Sequence, residues 1–125
     1  MTYLEVEKQL VLFLAELLGL EPDKTVFAGE LPIGIDEGMT ISLQEGQPAT
    51  HSQTNIFTAS ICSFSHCRRN IRQQAFAIAS ALPVFGKSGL LSVCMHETTP
   101  LKFSVSGEKE GALHSFSLSL TVKFI

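Results

Sequence analysis

The chain has 125 residues, enough for one domain with its own core, and by the usual domain size one only. Nine basic against twelve acidic side chains leave a net charge of -3, which argues against a dedicated nucleic-acid binder, whose domain is normally strongly basic. Three cysteines (Cys62, Cys67, Cys94) are too few, and odd in number, for a disulfide framework, so a reducing compartment is expected.

Residues 2 to 18 read as a helix. Thr2 is placed as N-cap with Glu5 three residues on, and Gly19 ends the run before Glu21-Pro22. Leu4, Leu10, Val11, Leu14, Leu17 and Leu18 form its expected buried stripe, which Leu12 and Phe13 widen beyond one face. The opening MTYLEVEKQ carries acids where a secretory leader needs bases. The apolar run 11–20 is broken by Glu16 and is shorter than the roughly 20 residues of a bilayer span. Cytoplasmic synthesis and no membrane partner are therefore expected.

A short strand, KTVFAGE, leads into LPIGIDEG, a turn region by its Pro and Gly. MTISLQ (39–44) alternates, with Met39, Ile41 and Leu43 on one face. EGQPATHSQTN (45–55) has no large apolar side chain and reads as an exposed loop. NIFTASICSFS (55–65) is a third strand with apolar residues on both faces, hence expected to be covered on both sides.

Ser65 is the expected cap of a second helix reaching about Leu82, with Ile71, Ala75, Ile78, Ala79 and Leu82 as its inner face. Pro83 and Gly86 stop it. GLLSVCMHE is a fourth strand, TTPLKFSVSGEKEGA a hairpin-like excursion, and HSFSLSLTVKFI (114–125) a fifth strand. In that last strand Phe116, Leu118, Leu120, Val122 and Phe124 alternate with Ser115, Ser117, Ser119, Thr121 and Lys123. The wetted side holds small hydroxyls where long charges usually stand, the mark of a contact surface. The expectation is an α+β domain in the order α-β-β-β-α-β-β: a five-stranded, mostly antiparallel sheet with both helices packed on one face.

Charge divides along the chain. Residues 1–50 hold nine acids against Lys8 and Lys24, a local net of -7; residues 51–125 have a net of +4. Opposite signs of this kind suit a head-to-tail assembly. Arg68, Arg69 and Arg72 form the basic cluster, either as a solvated face or as a partner for an acidic surface of another subunit.

Chemistry is sparse. Cys62, His66, Cys67, Cys94 and His96 are zinc-type ligands, but the C-x3-H-C spacing lacks a matching second knuckle, and Cys62 and Cys94 fit as small side chains within strands. Cys67 with His66, His96 or His114 as base lacks an orienting third group. Asp36 and Glu37 sit in a Gly-flanked turn and read as solvated turn residues. No cofactor, metal, catalytic residue or specific nucleic-acid partner is expected, and the protein reads as a non-enzyme.

Three stretches carry a resemblance over nearly the whole chain: VFAGELP (26–32), the R-x2-A-F-A-I-A-S-A-L run starting at Arg72, and P-L-K-F-S-V-S-G-E-K-E-G-A-L-H-S-F-S-L starting at Pro100. With this element order the sequence resembles the small phage tail-terminator family, also called minor capsid proteins, of phages and prophages. It departs from that family at Ser63, Phe64 and Ser65, where a charged residue often ends the strand before the second helix. The resemblance implies a virion structural protein at the head-tail junction, assembled in the host cytoplasm. It would form a homo-oligomeric ring, commonly a hexamer, that caps the tail tube and offers a surface to the head-completion protein. Under it, Arg68, Arg69, Arg72, Ser115, Ser117, Ser119 and Thr121 are the expected interface, while Gln47, His51, Gln53 and Lys109 lie on loops reaching toward tube or head. A head-completion or connector subunit and a small non-catalytic α+β binding domain are the alternatives.

Overall fold

The first apolar stripe forms helix α1 (Tyr3–Leu18), in a computed structural model that describes residues 3–47, 55–86, 90, 92–95, 101–107 and 111–124. Val6, Leu10 and Leu14, spaced by four, are fully buried, and Val11, Phe13 and Ala15 widen the buried face. Leu4 was expected in this stripe but is 80% exposed: it lies two residues from Val6, on the far side of the helix, and Leu12 is partly exposed with it. The Thr2 cap lies outside the described residues. Glu7 Oε1 accepts a hydrogen bond from Leu43 N (3.4 Å), tying the helix to the sheet.

The described residues contain seven strands where five were expected: β1 (Val26–Ala28), β2 (Gly38–Gln47), β3 (Asn55–Ser65), β4 (Val84–Phe85), β5 (Ser92–Met95), β6 (Lys102–Ser106) and β7 (Leu113–Phe124). They form one sheet in the order β1-β2-β3-β7-β5-β4, with β6 also paired to β7. The two additional strands are β4, whose two residues are too few to show a pattern, and β6, which lies within the stretch read as a hairpin-like excursion. The sheet is mixed, because β1 runs parallel to β2 while the other pairs are antiparallel. The expected exposed loop 45–55 begins later than its composition implies, since the β2 backbone continues to Gln47 past a register shift between Leu43 and Gly46.

β7 is the spine. Along one side it pairs with all of β3, from Ser65↔His114 to Asn55↔Phe124. Its other side is shared, with β6 along Leu113 to Ser117 and β5 along Leu120 to Lys123. Phe116, Leu118, Leu120, Val122 and Phe124 are buried on one face, level with Ala59, Ile61 and Ser63 of β3 and with Met39 and Ile41 of β2. Both helices share a single core with that face.

Helix α2 spans Arg68–Ala81 and buries Ile71, Ala75 and Ile78. Its N-cap is Cys67, which makes no side-chain cap; Ser65, the expected cap, lies two residues before it and accepts a hydrogen bond from Cys67 N at 3.0 Å. Ser63 is fully enclosed and donates to Gln74 Oε1 at 2.7 Å, fixing α2 to β3. No described helix is long and apolar enough to cross a membrane.

Candidate interaction surface

Two surfaces emerge from this arrangement, on opposite faces of the sheet. The first is the face away from the helices. Register places Thr40 and Ser42 of β2, Thr58, Ser60 and Cys62 of β3, and Ser115, Ser117, Ser119 and Thr121 of β7 side by side, so the four β7 hydroxyl residues singled out from sequence share a field of small side chains. Thr40 Oγ1 donates to Cys62 O at 3.4 Å within it. Among the described residues no helix covers this side of β3: Ile56, Cys62 and Phe64 are only half-buried, and both helices pack on the other face. Lys102 and Lys123 are charged residues at its margins.

The second surface lies on the helix side, in a groove of about 420 Å³ between α2 and β6. Arg68, Ile71 and Arg72 line it from α2, Phe103, Ser104 and Val105 from β6, and His114 and Ser115 from β7; none of these described lining residues is acidic. The Arg72 guanidinium carbon lies 4.4 Å from the centre of the Phe103 ring, a cation-π contact, and Phe76 tilts against that ring at 6.0 Å. Arg72 Nε is buried with no hydrogen-bond partner among the described residues, and neither Arg68 nor Arg72 forms a salt bridge with a described residue. Of the β7 hydroxyls named with these arginines, Ser115 lines the same groove, while Ser117, Ser119 and Thr121 follow it at two-residue steps along the strand face away from the helices.

A third feature links the turns at one end of the sheet. His66 Nε2 meets Asp36 Oδ2 at 3.0 Å and Nδ1 meets the Ala112 carbonyl at 3.2 Å, while His66 N donates to Glu37 Oε1 at 2.7 Å. Two acceptors facing the two ring nitrogens favour the doubly protonated imidazolium. The bond to Asp36, then that to Ala112, raises the His66 pKa above its ordinary 6.5; the same His66 bond holds the Asp36 carboxyl below 3.8. Asp36 and Glu37, read as solvated turn residues, thus also fasten the β1–β2 connection to the start of α2.

The remaining candidates do not converge. Cys62 and Cys94 pair with Ser117 and Thr121, four residues apart along β7, and Cys94 Sγ contacts Thr121 O at 3.8 Å. Cys67 is exposed. Among the described residues no three His, Cys, Asp or Glu side chains gather as metal ligands. His51, Gln53, His96 and Lys109 lie outside the described residues, as does the side chain of Gln47. Sequence reasoning missed Phe103 and Val105 as groove residues; their alternation within KFSVS was the available signal.

No family model matches the sequence, and no curated protein does. Among solved structures, the chain is similar to a chain of the "Virion of native gene transfer agent (GTA) particle", with 15% identity, 98% of each chain covered and a TM-score of 0.44.

Proposed function

We propose that this chain is a non-catalytic structural subunit of a phage or prophage tail, a ring-forming terminator that caps the tail tube and joins it to the head. The observation that carries the reading is a sheet that, among the described residues, has helices on one side only. Its core face is sealed by both, while its other face consists of partly covered hydroxyls and thiols with few charges, Ser119 being 8% exposed. Such a surface loses little when water leaves it, because small hydroxyls are cheap to immobilise and find partners readily. The family-like stretches fall on distinct elements: VFAGELP forms β1 and the residues after it, the alanine-spaced run lies in α2, and the late run contains β6 and the first half of β7.

Light scattering coupled to size exclusion, at rising protein concentration, tests the reading. The expected result is one discrete closed assembly, visible as a ring by electron microscopy and retained on purified tail tubes. A chain that stays monomeric up to millimolar concentration overturns it.

A further inference from the structure

We propose that the tight turn at Ile33 of one copy docks in the α2–β6 groove of a second copy. This rests on the self-assembly proposed above and names its contact. Ile33 is 104% exposed, an unusual place for a large aliphatic side chain. It is held out by a turn in which Ile35 N donates to Pro32 O at 3.1 Å and Gly34 has φ +86, so Ile33 occupies the corner. Ile35 is also exposed, and Glu30, three residues before Ile33, makes no salt bridge with a described residue. This edge is therefore apolar and acidic.

The groove is the complement. Val105 is 60% and Phe76 52% exposed beside it, and Arg68 and Arg72 bring positive charge with no acid among the described lining residues. A carboxylate arriving with an aliphatic side chain meets both requirements, charge beside desolvated arginine and carbon against Phe103. The donor must be another copy. Between β1, which the turn follows, and β6 lie β2, β3 and β7, a separation of roughly 19 Å at the usual strand spacing. The two surfaces differ, so the contact is head-to-tail and propagates until it closes.

Disulfide trapping decides it. With exposed Cys67 replaced by Ser, Ile33→Cys combined with Val105→Cys should give a covalent ladder on a non-reducing gel under mild oxidation, whereas a mixture of the two single variants should stop at dimers. Arg68→Glu and Ile33→Asp, both at exposed positions, should raise the concentration needed for assembly at least tenfold with unchanged circular dichroism. Adding Glu30→Arg to Arg68→Glu should recover part of it. An assembling wild type with no ladder and no effect of Ile33→Asp overturns this contact and leaves the ring intact; a wild type that never assembles overturns both.

Discussion

Asp36 and His66 are thirty residues apart in sequence, yet their side chains meet at 3.0 Å, and the same imidazole reaches the Ala112 carbonyl. One ring thereby fastens the β1–β2 connection, the start of α2 and the residues before β7. Asp36 directly follows the turn that carries Ile33.

The clasp has a pH window. His66 has a raised pKa, so its contribution is complete below 6.5 and fades as pH rises through the folded value; Asp36, lowered below 3.8, contributes above 3.8 and fades as pH falls through its folded value. The difference in Tm between wild type and Asp36→Asn should therefore be greatest near about pH 5 and shrink above neutrality. In an NMR titration the His66 midpoint should lie above 6.5 and move down in Asp36→Asn; a midpoint indifferent to the substitution refutes the pairing.

Phe124 stacks on Phe57 with ring centres 5.3 Å apart and is 2% exposed. Phe124→Ala should cost about 3–5 kcal/mol in urea unfolding, the usual loss for a buried phenylalanine. Lys123→Ala, one residue earlier on the exposed side, should stay within about 0.5 kcal/mol. Equal effects would mean that the end of β7 is not a fixed part of the core.

The Ser63–Gln74 bond lies at the join of β3 and α2. Ser63→Ala removes the donor and leaves Gln74 Oε1 without its partner, for a loss of about 1 kcal/mol. Pairing it with Gln74→Leu should recover most of that loss, and a double-mutant cycle measures the coupling. Strict additivity would show that the two side chains act independently.

Gly38 opens β2 at φ +148, where an added Cβ would come 2.9 Å from Leu31 Cδ2 and 3.1 Å from Phe27 Cε2. Gly38→Ala should destabilise by about 1–3 kcal/mol, from backbone strain and displaced side chains together. Gly111→Ala, with nothing within 4 Å, should be neutral or slightly stabilising. Thermal melts of the two variants should thus shift in opposite directions or by very unequal amounts.

By itself the sequence determined the elements whose pattern is local. The alternation from Phe116 to Phe124 announced a half-buried strand, residues 55–65 formed the strand expected of them, and the spacing of Ile71, Ala75 and Ile78 marked the inner face of α2. Each is a repeat within a dozen residues, and burial of one face is enough to produce it. Tertiary structure alone decided that β6 and β5 share one side of β7, that β1 runs parallel to β2, and that Leu4 faces outward. It also put Arg72 on Phe103 and His66 on Asp36. Those outcomes depend on which surfaces compete for the same strand edge or helix face, and that competition is settled between different elements of the chain, where no pattern within one element is written.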